Sequence, residues 1–135
     1  MITRNEIYTY IRNAVLASNN KVYVTARYVP KPPSFPACYI HEIDRDIPLQ
    51  NIQLDYQDVQ WESVYEVQVA SAKRNTAASE AYDIMDVVRQ AFNNLYFREF
   101  SETNIDTGDS VTIIGRFRRI IGGGDQILPN PIISA

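Results

Sequence analysis

The stretch Gln60-Trp61-Glu62-Ser63-Val64-Tyr65-Glu66-Val67-Gln68-Val69-Ala70 decides the fold. Trp61, Tyr65, Val67 and Val69 fall on one side of an extended chain, and Glu62, Val64, Glu66 and Gln68 fall on the other. That alternation reads as a strand with one buried face. The period then changes. Ala78, Ala81, Tyr82, Met85, Val88, Phe92 and Leu95 recur at helical spacing, so a helix capped by Asn75 or Thr76 is expected to run to about Leu95. A helix of that length is roughly 30 Å long, enough to span a small domain.

Upstream, Thr3-Arg4-Asn5-Glu6 reads as a capping box that opens a first helix. Ile7, Ile11, Ala14 and Val15 share one face of it, and Asn19-Asn20 ends it, Asn being tolerated in a left-handed helix end. Lys21 to Tyr28 alternates as a strand. Pro30, Pro32, Pro33 and Pro36 then forbid helix and interior strand. A short strand over Ala37 to Glu42 follows, and residues 43–58 read as a long acidic excursion, a kind of connection that is commonly functional. Downstream, Phe97 to Thr103 and Val111 to Ile121 read as two strands joined by a Thr107-Gly108-Asp109 turn. The order α-β-β-β-α-β-β predicts an α+β domain over residues 1–121, a mainly antiparallel sheet of about five strands with its helices on one face. Residues 122–135 form a C-terminal arm. It opens on Gly122-Gly123-Gly124 and carries Ile127, Leu128, Ile132 and Ile133 between prolines. Either it packs on its own domain or it packs on a neighbouring subunit.

Composition removes several function classes. The 135 residues fit one domain that needs no staple. Thirteen basic against sixteen acidic residues give a net charge of -3, which is wrong for a nucleic-acid binder that grips phosphates by bulk charge. One Cys forbids an intrachain disulfide, and one His with no Cys/His cluster argues against structural zinc. No apolar run reaches the roughly 18 residues of a membrane helix. The N-terminal residues lack a charged segment followed by an apolar one, so no secretion signal is expected.

Catalytic patterns are equally thin. Cys38 and His41 are three apart on a strand, so they point to opposite faces and form no dyad. Gly122-Gly123-Gly124 is followed by Asp125 and lacks the Lys-Ser/Thr of a phosphate loop. Asp106-Thr107-Gly108 is similar to the signature of aspartic proteases, and Ile113-Ile114-Gly115-Arg116 to a second stretch of the retroviral-type members. In that family most of the fold separates the two stretches, whereas here only a few residues do. A turn rich in Asp, Thr and Gly is the simpler reading. Glu99 with Glu102, and Asp55 with Asp58, are carboxylate pairs of the kind an acidic chain produces by chance. Arg116 and Arg118 share a strand face opposite Phe117, which reads as a solvated face, then as ion-pair partners. No catalytic constellation, cofactor site or metal site emerges, so a non-enzyme is expected.

What stands out is surface. Nine Tyr are spread over nearly every element, and Tyr23 and Tyr39 lie on faces otherwise given to polar residues. Tyrosine combines a large contact area with a polar tip and suits interfaces.

In its order of elements the chain resembles the tail terminator, or tail completion, family of long-tailed bacteriophages and related contractile particles. The resemblance is carried by the length, the N-terminal helix, and the Val22-Tyr23-Val24-Thr25-Ala26-Arg27-Tyr28-Val29-Pro30 segment with its proline-bearing turn. A long connection follows, then Tyr65-Glu66-Val67-Gln68-Val69 leading into one long helix and a closing hairpin. It covers about Ile7 to Ile121; the arm beyond has no counterpart. The resemblance implies a virion structural protein of the tail and neck, assembled in the host cytoplasm. It implies a ring, usually a homohexamer, that halts polymerisation of the tail tube protein and docks head-completion proteins while DNA passes through the lumen. No membrane is involved. A closed ring needs a heterologous interface, and an acidic lumen would let DNA slide. Asp44, Asp46, Asp55 and Asp58 are the candidates for that lumenal surface. Tyr23, Tyr39, Arg116, Arg118, Ile127 and Leu128 are the candidates for subunit contacts. A head-completion or other neck (connector) protein is the alternative reading. An aspartic-protease-like enzyme through Asp106 is a distant third.

Overall fold

The computed structural model describes residues 2–30, 32–46, 60–72 and 76–122. In chain order they form helix α1 (Arg4–Ser18), strands β1 (Tyr23–Thr25), β2 (Ala37–Asp46) and β3 (Gln60–Ser71), helix α2 (Ala77–Asn94), and strands β4 (Arg98–Asp106) and β5 (Val111–Gly122). The five strands form one sheet in the order β1-β2-β3-β5-β4. The β2–β3, β3–β5 and β5–β4 pairings are antiparallel, and β1 joins β2 in parallel. The fold is therefore the expected α+β, with a mixed rather than uniformly antiparallel sheet.

The helices begin and end for local reasons. Thr3 and Glu6 form the capping box at α1, each satisfying the other's backbone N–H. Ile7, Ile11 and Val15 are its buried face. Asn19 ends α1 in an extended conformation rather than a left-handed one, and its Oδ1 accepts a hydrogen bond from the Lys21 N–H at 3.0 Å. Thr76 precedes α2 without a side-chain cap. The end of α2 closes more firmly. Phe97 N–H donates to the Phe92 carbonyl and Tyr96 N–H to that of Asn93, with Tyr96 left-handed at φ 64°. This is a Schellman arrangement, with Tyr where glycine is usual.

Both helices pack on the same face of the sheet and on each other. Between the layers, Phe92 stacks on Phe117 at 4.4 Å, and Phe97 meets Phe92 and Tyr65 edge-on at 5.1 and 5.6 Å. Each such pair contributes about 0.5–1.5 kcal/mol beyond its buried area. The buried stripe of α2 is Ala81, Ile84, Met85, Val88, Ala91 and Phe92, with Leu95 just beyond. Ala78 and Tyr82 were expected in that stripe and are exposed instead. Tyr82 lies over the sheet rim, where its hydroxyl accepts from Asn104 Nδ2 at 2.7 Å.

Three strand limits differ from expectation. β1 is three residues long because the Thr25 hydroxyl accepts from Arg27 N–H and donates to Arg27 O, turning the chain away from the sheet. β2 continues past Glu42 into residues 43–46, so Asp44 and Asp46 lie on a strand and not in a loop. β4 runs on to Asp106, where the predicted turn follows: Asp106 Oδ1 accepts from Gly108 N–H at 2.9 Å, and Gly108 takes a φ of 85°. Asp106 is thus an exposed turn residue serving its own backbone.

Candidate functional site

Two β-bulges govern where the charged side chains go. In β2 the register shifts between Glu42 and Asp44, and in β4 between Glu99 and Ser101. Each bulge inserts one residue and so reverses the alternation beyond it. In β2 this puts both Glu42 and Arg45 on the helix side. There the Glu42 carboxylate, only 4% exposed, receives the Ser63 hydroxyl at 2.6 Å, Arg45 Nε at 2.9 Å, and the Arg4 guanidinium from α1. Arg45 also donates to the Ile2 carbonyl at 3.3 Å. Tyr65, opposite Glu42 in register, has its hydroxyl pKa pushed up by burial first and by the Glu42 charge second.

In β4 the bulge turns Glu99 and Glu102 both toward α2. Arg89 binds Glu99 at 2.9 and 3.1 Å, Asp86 at 2.8 Å, and Glu102 as well. The two glutamates are a clamp between helix and edge strand, a role that period-two reading hides. Both clusters tie the helix layer to the sheet.

The other face of the sheet differs. Among the described residues, no helix or strand packs on it. One end is acidic: Asp44 is exposed beside Val64, and Asp46 pairs with Glu62 in the register. The middle carries a linked row across three strands. The Tyr39 ring stacks on His41, and His41 Nε2 lies 3.8 Å from Glu66, which accepts from Arg116 Nε at 3.0 Å. Burial pulls the His41 pKa below its ordinary 6.5, against an opposing pull from Glu66. Beyond them Arg118 lies over the Phe100 ring at 5.1 Å. That ring belongs to the inserted residue of the β4 bulge. Ile105 and Ile120 lie on the same face, each 45% exposed. The far end is aromatic, with Tyr23 and Tyr39 beside Tyr28 and Phe35 around a pocket.

Tyr23, Tyr39, Arg116 and Arg118 lie on one open face of the sheet. Arg116 is an ion-pair partner rather than a purely solvated charge. Asp44 is at its acidic end, where the Asp46 backbone pairs with Glu62. Asp55, Asp58, Ile127 and Leu128 lie outside the described residues. Cys38 and His41 point to opposite faces, and burial pushes the Cys38 thiol up to about 12. Sequence reading put His41 on the strand face opposite Cys38 and did not single out Phe100; their neighbours on the open face, Tyr39 and Glu66 for His41 and Arg118 for Phe100, were missed because most of them come from other strands.

No family model matches the chain, and no curated protein does. A mostly antiparallel sheet with one face bare is ordinary when that face is polar. Here it mixes isoleucines, stacked aromatics and paired charges, a composition closer to that of an interface. Among the described residues, no strand pairs with the outer edge of β4, nine residues long, which adds backbone donors and acceptors that a neighbour can use.

Proposed function

We propose that the chain is a structural subunit of a long-tailed phage or phage-tail-like particle, a tail terminator that forms a ring at the head-proximal end of the tail tube. The observation that carries the reading is the sheet face and β4 edge that no other described element covers. Edge and face are different surfaces, and a contact between different surfaces repeats around a circle until it closes. The ring stops tube polymerisation and presents its opposite side to a head-completion protein. Its lumen passes DNA without gripping it, and the acidic end of the open face, Asp44 and Glu62, supports that part of the reading. No step of this role requires a catalytic group.

The experiment pairs Ile105→Asp with Arg116→Glu on the otherwise intact chain. Both side chains are on the open face and outside the core. The double variant keeps its circular dichroism and melting cooperativity and loses the ring in light scattering. Unchanged particle mass would remove this face from the assembly. Replacing Asp44, Asp46, Asp55 and Asp58 together by Asn tests the lumen. Rings that form normally but pass DNA poorly support it, and unaltered assembly, tail length and DNA passage contradict it.

A further inference from the structure

The open face carries its charges in rows that run across the strands. At one level β2, β3, β5 and β4 present Asp44, Val64, Arg118 and Arg98; at the next they present His41, Glu66, Arg116 and Ser101. Acid therefore lies on the β2–β3 half and base on the β5–β4 half. Arg98 and Arg118 oppose each other directly, an arrangement that by itself destabilises a strand pair. Among the described residues neither has a carboxylate partner, whereas Arg4, Arg45, Arg89 and Arg116 each have one. Asp44, at the other end of their row, has no described cation.

These rows are complementary to themselves. A two-fold axis that lies between two such faces, parallel to the strands, reverses the strand order and keeps each residue at its level. Placed midway between β3 and β5, it lays β2 over β4 of the second copy and β3 over β5. Asp44 of each copy then meets Arg98 of the other. Glu66 and Arg116, already paired within each copy, meet their counterparts as four alternating charges. Ile105, 45% exposed, comes over Ala37 at the rim of the aromatic pocket. Other placements fail on charge. An axis over β3 sets Glu66 on Glu66, and one over β5 sets Arg116 on Arg116. An axis across the strands at these levels stacks β5 on β5 and sets its arginines together. Sheets packed face to face lie about 10 Å apart with their strands turned by about 30°, which displaces the strand ends more than these middle rows.

We propose that free copies of this chain pair as a two-fold dimer, open face on open face, with Asp44 against Arg98 and Glu66 against Arg116. The pairing concerns the free chain, goes beyond the ring reading and does not rest on it. A ring built from face and edge forms once the paired faces separate.

Analytical ultracentrifugation of the full chain and of three variants, Arg98→Asp, Asp44→Arg and the two combined, tests the pairing. Asp44 and Arg98 are three strand spacings apart, about 14 Å, so neither repairs the other's loss within one chain. Both are exposed, and circular dichroism verifies that each variant folds. The full chain is expected to sediment at twice the mass of one chain, with no further rise at higher concentration. Each single variant sets like charges together at two contacts and is expected to weaken the dimer about a hundredfold, tenfold for each contact. The combined variant exchanges the two charges and is expected to regain the affinity of the unaltered chain. A monomeric full chain, a dimer indifferent to the single variants, or a combined variant as weak as the singles overturns the pairing. Mass that keeps rising with concentration, as an open head-to-tail contact gives, overturns it as well. A free hexamer overturns the pairing and leaves the ring reading standing. A dimer restored by the exchange, with tail tubes left uncapped, upholds the pairing and fails the ring reading alone.

Discussion

Tyr39 and His41 stack with their ring centroids 4.3 Å apart and their planes within 6° of parallel, two residues apart on one strand. The stack holds the imidazole against the sheet. Its surroundings are Tyr39 on β2, Glu66 on β3 and, beyond Glu66, Arg116 on β5. Burial is the largest influence on this His and favours the neutral ring, so its folded pKa lies below the ordinary 6.5. The unfolded chain then binds the proton more readily. The stabilising contribution is fully present above 6.5 and is lost as pH falls from there through the folded value. The chain has a single His, so one imidazole signal reports it. A proton NMR titration is expected to give a midpoint below 6.5, and His41→Phe is expected to flatten the fall in stability over that window.

The Glu42 cluster makes a sharp contrast between its two arginines. Arg45 is 9% exposed and Arg4 70%. Glu42→Leu leaves Arg45 buried without its carboxylate and is expected to cost about 3–5 kcal/mol. Arg4→Ala removes an exposed partner and is expected to cost under about 1 kcal/mol. Urea unfolding of the two variants measures both.

Tyr96 holds a left-handed conformation at the end of α2. A side chain there is strained, and glycine is not. Tyr96→Gly gives up the Arg119 contact to its half-exposed ring, 5.7 Å away. The relief, roughly 1–2 kcal/mol, exceeds the entropy glycine adds to the unfolded chain, so the variant is expected to be more stable by up to about 1 kcal/mol. A lower melting temperature would show that the ring contact wins.

Cys38 is fully buried, with its thiol pushed up to about 12 by desolvation. An aromatic disulfide reagent in mildly alkaline buffer is expected to leave the folded chain unlabelled. Labelling should appear with the urea transition that exposes the core. Rapid labelling of the native chain would mean that β2 opens on its own.

The sequence was legible where one period held. β3, β5 and α1 alternate or repeat without interruption, so their buried faces could be read directly, whereas in α2 the reading placed the exposed Ala78 and Tyr82 in the buried stripe. It was not legible at the bulges. A period-two reading ends β2 at Glu42, because the inserted Ile43 puts the following residues on the opposite faces from those expected. The same device in β4 conceals that Glu99 and Glu102 meet one arginine, and the partner itself lies on a helix. β1 looked longer because the hydroxyl that ends it is a local bond with no hydrophobic signature. Tyr23 and Tyr39 were marked as contact residues from their faces alone. Their meeting in one pocket depends on the parallel β1–β2 pairing, which no local pattern encodes.

The central claim is that this chain closes the tail tube. Electron microscopy of tubes assembled from purified tail tube protein, with and without the full chain, tests it most directly. A ring at one end of each tube, and a tube length that stops increasing once the chain is added, are expected. Bare tube ends and an unchanged length distribution, with folded protein in excess, would contradict it.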